Sequence, residues 1–116
     1  MMATEENERV YEMEAIESME KLKTEIQAEN AFLLLVKTEN CSVCEAVEEQ
    51  INQGVLKEAD VPVKKIRLKD VPEVSGEFLV FTSPTLLLFL DGKEQWRGSR
   101  FVSYDEIIRI MSLWRS

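Results

Sequence analysis

The sequence contains no histidine and only two cysteines, Cys41 and Cys44. A zinc centre draws four ligands from Cys, His and carboxylates, so a metal here would need two chains to share it, or help from Glu39, Glu45 or Glu48. Two cysteines are also too few to staple a small secreted scaffold. Long apolar runs are missing: "AFLLLV" and "LLLFL" fall far short of the roughly 18 residues of a membrane span. Positive charge is scarce, with 14 Lys plus Arg against 22 Asp plus Glu and a formal net charge of -8. That balance repels nucleic-acid phosphates and anionic lipid headgroups, and neither is expected as a partner. The opening "MMATEENERVYEMEAIE" is acidic where a secretory signal is basic and then apolar, so the expected location is cytoplasmic. No internal repeat or low-complexity tract interrupts the chain.

What is present suits one domain, because 116 residues with 45% hydrophobic content can fill a single core. Residues 1–12 read as a polar extension and residues 13–116 as the domain. Ile16, Met19, Leu22 and Ile26 recur at helical spacing and predict a first helix over residues 13–29. "AFLLLVK" follows as a strand buried on both faces. A second helix is predicted from Cys41 to Gly54, with Val43, Cys44, Val47 and Ile51 inward, then a strand over residues 61–68 and a short helical turn over 71–78. "PTLLLFL" and "KEQWRG" flank Asp91-Gly92, a pair suited to the positive backbone angles of a tight hairpin. Ser103 and Glu106 form a capping-box signature, Val102 is placed to staple against Ile107, and Ile107, Ile108, Met111 and Trp114 make the buried stripe of the last helix.

Several chemistries compete for the cysteine pair. It could be half of a shared metal site, two buried core residues, or a permanent disulfide, whose small loop removes only about 2 kcal/mol of unfolded-chain entropy. The favoured reading is a redox couple. Residues three apart at a helix start lie about 5–6 Å apart, within disulfide range, so the bond can form and break with little backbone movement. Cys41 sits where unpaired amides and the positive end of the helix dipole stabilise a thiolate, which makes it the nucleophile. Cys44, one turn deeper, is the resolving thiol that attacks Cys41 in a mixed disulfide. A Cys-x-x-Cys pair beside a strand–helix–strand unit is the context of a thioredoxin-like redox site.

"CSVC" after a buried strand, and "SPTLLLFLDGKE" about forty positions later running into a hairpin and a final helix, resemble the thioredoxin family over nearly the whole chain. The resemblance implies an α/β thioredoxin-like fold, a central mixed sheet of four to five strands flanked by helices. It further implies that Pro84 is cis and that the backbone of Ser83 is a docking edge for an extended client segment; a trans strand-start proline is the plainer alternative. Asn40, Ser42 and Val43 are then client-contacting residues, and Gly98 resembles the family glycine that admits a client backbone, though a turn glycine is the competing reading. Asn40 replaces the usual aromatic residue, and Ser42-Val43 the usual Gly-Pro. Leu35 stands where the family carries a buried acid, six residues before the first cysteine. Lys65 aligns with that acid's lysine companion, but within the basic run Lys64, Lys65, Arg67 and Lys69 it reads as a solvated strand residue. The acids Glu39, Glu45, Glu48 and Glu49 are expected to oppose the thiolate.

The function this implies is thiol-disulfide exchange through Cys41 and Cys44 by a cytoplasmic monomer with no bound cofactor. Its partners would be disulfide-containing client proteins, with electrons from a low-molecular-weight thiol or a flavoprotein reductase. The alternative is a redox-sensing or adaptor module that changes a protein contact without turnover.

Overall fold

The computed structural model describes residues 13–116, and the polar extension assigned to residues 1–12 lies outside the described residues. At the centre is β2 (Ala31–Lys37), buried at all seven positions, beside β4 (Thr85–Leu90), buried at all six. Strands this apolar need cover on both faces, and the alternation of side chains divides them into two cores. Phe32, Leu34, Val36, Leu87 and Phe89 face one side with Leu22 and Ile26 of α1 (Met19–Ala28) and Val74 of α3 (Glu73–Phe78). Leu33, Leu35, Leu86 and Leu88 face the other with Val47 and Ile51 of α2 (Ser42–Asn52) and Ile107 and Met111 of α4 (Tyr104–Arg115). The Phe32 and Phe89 rings stack at 5.2 Å across adjacent strands.

The five strands run in the order β1-β3-β2-β4-β5, with β1 (Glu14–Ala15), β3 (Val63–Arg67) and β5 (Lys93–Ser99) completing the sheet. β1, β3 and β2 are mutually parallel, while β4 runs antiparallel to β2 and β5 antiparallel to β4, so the sheet is mixed. Asp91 and Gly92 adopt φ values of 53° and 82°, the double positive angle that a two-residue hairpin requires. Ser103 caps α4 by accepting from the Glu106 amide at 3.3 Å. Glu106 closes only half the expected box, because its carboxylate accepts from Trp96 Nε1 at 2.8 Å.

The first helix is shorter than its periodicity predicts. Ser18 Oγ accepts from the Lys21 amide at 3.0 Å and starts α1 there. The residues before it join the sheet, where Ile16 N–H donates to the Lys65 carbonyl at 2.8 Å. Ile16 mimics a helical position because it ends in the same core as Leu22 and Ile26. An open strand edge on β3 outcompetes a helical turn that has no cap of its own.

Candidate active site

Cys41 is the N-cap of α2 and Cys44 closes its first turn. The two are bonded, with Cα atoms 5.2 Å apart, inside the range a disulfide needs. The Cys44 amide donates to Cys41 Sγ at 3.2 Å, so one of the orphan N–H groups of the helix start points at the sulfur. Cys41 is partly exposed and Cys44 fully buried. Asn40 directly before them has φ 55°, a left-handed conformation that Asn tolerates better than most residues and a bulky aromatic tolerates poorly. Ser42 and Val43, between the cysteines, are exposed, so Val43 does not face inward as the helical pattern predicts; the first turn buries Cys44 instead.

The loop before β4 meets the cysteines from the other side. The Ser83–Pro84 peptide bond is cis. Cys41 Sγ lies 4.0 Å from the Ser83 carbonyl oxygen and 3.9 Å from its hydroxyl. Thr38, in the loop leading to Asn40, shares a hydrogen bond with Ser83 Oγ at 2.8 Å, tying the two loops together. Arg97 on β5 donates to the carbonyls of Phe78 and Leu79 and so anchors the start of the loop carrying Phe81. Phe81 is 75% exposed, and Phe101, after β5, is 93% exposed.

Gly98 is placed differently from its expected role. It pairs with Leu86, and a Cβ there would come within 2.6 Å of the Trp96 ring, so the glycine makes room for an indole. The residue bonded to Pro84 is Arg100, whose amide donates to the Pro84 carbonyl at 2.9 Å and whose φ is 63°. Arg100, Phe81 and Phe101 were not singled out from the sequence; counting back from the capping Ser103 offers a signal for Arg100, while exposure of the two rings is a tertiary fact.

Beneath α2 lies an ionic cluster that sequence reading missed. Lys37, the last residue of β2, donates to Glu48 at 2.5 Å and Glu45 at 3.2 Å, and Lys65 donates to Glu48 at 2.7 Å. Lys65 is therefore a paired, mostly covered residue rather than a solvated one, because β3 lies inside the sheet and α2 reaches over it. Burial works against the charge on Lys37, yet the hydrogen bonds from it to Glu48 and Glu45 raise its pKa above the usual 10.5. Burial likewise pushes the Glu48 carboxyl up, but the two lysines outweigh it and hold it below 4.5. Glu39 pairs with Lys69 at 2.5 Å. Three of the four acids expected to oppose the thiolate thus have cationic partners. Leu35, on the same face of the sheet, is fully buried. Among the described residues no group of three or more His, Cys, Asp or Glu is arranged to hold a metal ion.

A mixed five-stranded sheet between two helical layers, with the cysteine pair at the start of α2 opposite Ser83-Pro84, defines the thioredoxin fold. Solved structures agree. A mutant thioredoxin from Halobacterium salinarum superposes with a TM-score of 0.77 at 18% identity, covering 92% of this chain and 94% of that one. Plasmodium falciparum thioredoxin superposes with a TM-score of 0.74 at 12% identity, covering 88% and 99%. No protein-family model matches the chain. The thioredoxin-like protein YdfQ of Bacillus subtilis is 33% identical over 96 residues, which are 83% of this chain and 86% of that protein. The chain belongs to the thioredoxin-like proteins.

Proposed function

We propose that the protein is a thiol-disulfide oxidoreductase, with Cys41 as nucleophile and Cys44 as resolving thiol. The observation that carries this reading is the Cys44 amide aimed at Cys41 Sγ, at a helix N-terminus, with the second cysteine buried behind it. In the reduced protein the Cys41 thiolate attacks one sulfur of a client disulfide, and the other client sulfur leaves as a thiolate that takes up a proton. Cys44 then loses its proton and attacks Cys41, and the second client sulfur leaves. Two electrons pass to the client, and the protein is left with the Cys41–Cys44 disulfide. A low-molecular-weight thiol or a flavoprotein reductase restores the dithiol, and a reducing compartment such as the cytoplasm is the setting.

Clients are disulfide-bearing polypeptides. The Ser83 backbone beside Cys41 suits an extended segment, with Asn40, Ser42, Val43 and Pro84 around it and the exposed Phe81 and Phe101 offering apolar contact. The backbone partner of Pro84 is Arg100, while Gly98 pairs with Leu86 one step along the strand pair. The test is trapping. Cys44→Ser is expected to accumulate mixed disulfides with client proteins, because the resolving thiol is gone, while Cys41→Ser accumulates none. Trapping by Cys41→Ser alone would invert the roles, and a wild-type protein that reduces no protein disulfide would leave a non-catalytic redox module instead.

A further inference from the structure

Three short segments frame the client edge: residues 40–44 at the start of α2, residues 81–85 at the cis proline, and residues 98–103 at the end of β5. Besides the cysteines they contain a single ionisable residue, Arg100. Its backbone is tied to the edge, because its amide donates to the Pro84 carbonyl at 2.9 Å. The Ser83 carbonyl, one residue earlier, lies 4.0 Å from Cys41 Sγ. An extended segment lying along Ser83 therefore passes next to residue 100.

The Arg100 side chain is exposed and uncommitted. Arg67 pairs with Asp70, Arg97 with Glu94, and Arg115 donates to the Ala59 and Asp60 carbonyls. Arg100 has no such partner among the described residues, and neither has the exposed Arg109 of α4. Nearby carboxylates are already engaged: Glu39 with Lys69, Glu45 and Glu48 with the lysines under α2, and Glu106 with Trp96. Asp105 stands in the first turn of α4, whose dipole it complements. Phe101 follows Arg100 directly and Phe81 lies on the Pro84 loop, both rings open to solvent. A client that covers these rings also excludes water around the guanidinium, which weakens the screening of any charge it brings there.

We propose that Arg100 is a specificity-determining residue, which directs the protein to client disulfides whose cysteine is flanked by Asp or Glu. The proposal rests on Cys41 being the nucleophile of an oxidoreductase. A guanidinium offers a fork of donors that matches a carboxylate, while a client Lys or Arg in the same place meets like charge. The preference runs against the formal net charge of -8. That charge acts at long range and through solvent, whereas Arg100 is the charged side chain that a client at this edge touches.

The experiment uses peptides of one length with Asp, Asn or Lys on both sides of a single cysteine, each carrying a chromogenic aryl thiol as a mixed disulfide. In reduced Cys44→Ser protein the Cys41 thiolate attacks the peptide sulfur, the peptide–aryl S–S bond breaks, and the aryl thiolate leaves as a coloured anion. Salt at about 0.15 M suppresses the long-range field and leaves contact pairs. The ratio of the Asp-peptide rate to the Asn-peptide rate is the readout, since any general loss of activity cancels in it. Arg100→Gln is expected to lower this ratio about fivefold and to raise the relative rate of the Lys peptide, and Arg100→Lys to keep most of the ratio. Arg100→Gly should match Arg100→Gln, and it guards against misfolding because glycine takes the φ of 63° without strain. Arg109→Gln, an equal change of net charge on α4, should leave the ratio where it was. A ratio that Arg100→Gln and Arg100→Gly leave unchanged, or that Arg109→Gln lowers as much, would overturn the proposal. Failure of the parent to release aryl thiolate from any peptide removes the oxidoreductase reading and the proposal with it, a result distinct from measurable rates with no preference.

Discussion

At the scale of single residues, two left-handed backbone positions flank the cysteine pair and Pro84. Asn40 and Arg100 both hold left-handed backbone angles, one beside Cys41 and one across from Pro84. Gly98 is different: its backbone is ordinary, and the missing Cβ is the space the Trp96 ring fills. Gly98→Ala is therefore expected to destabilise the fold by about 1–2 kcal/mol through overpacking, with Trp96→Leu recovering most of the loss. Urea unfolding of the three proteins checks this. Trp96 is also tied to Glu106, so it cannot simply swing away without breaking that bond. A Gly98→Ala variant as stable as the parent would show that the Trp96 ring does not need the space of the missing Cβ.

Among elements, caps and edges decide where the periodic pattern stops. α1 begins at Ser18 because a hydroxyl there satisfies the Lys21 amide, whereas nothing at residue 13 offers that service. Ser18→Ala is expected to cost about 1 kcal/mol in equilibrium unfolding. The neighbouring strand β1 should loosen with it, read as faster amide exchange at Ile16, whose N–H bonds to Lys65. Loss of stability without any change at Ile16 would show that strand and helix are independent. α2 uses a sulfur in the same capping place, so the bond that starts the helix is also the one that reaches Cys41 Sγ.

For the whole molecule, the buried ion pairs set the response to pH. Hydrogen bonding from Lys64 outweighs burial and holds Glu25 below 4.5, and the lysine pair does the same for Glu48. Carboxyls depressed in the fold stabilise it fully above their unfolded value near 4.5, and that stabilisation is lost as pH falls through the lower folded values. Lys37 and Lys64 are raised in spite of burial, so their contribution persists up to about 10.5 and disappears only above it. With no histidine, no side chain of ordinary pKa changes charge between about pH 5 and 8. The oxidised protein should therefore show a flat urea midpoint through the neutral range and a fall below pH 4.5, shallower in Glu25→Gln/Glu48→Gln. A midpoint that drifts across neutrality would mean another group is coupled to folding.

The sequence alone determined the order of the main elements and the chemistry of their ends. Apolar runs of strand length, the Asp91-Gly92 turn, the Ser103 cap and the Cys-x-x-Cys spacing are local signals, and each survives in the fold because its physics acts over a few residues. Tertiary structure decided what depends on neighbours distant along the chain. The start of the first helix depended on an open edge of β3. Lys65 became a covered, paired residue because α2 crosses above an inner strand. Lys37, at the end of an apolar run, found its partners eight and eleven residues on. Gly98 yielded its expected place to Arg100 because hairpin register, set with a shift between Leu88 and Phe89, chooses which residue faces Pro84. Charges and glycines read from a sequence carry no direction, and only the packing of sheet against helix gives them one.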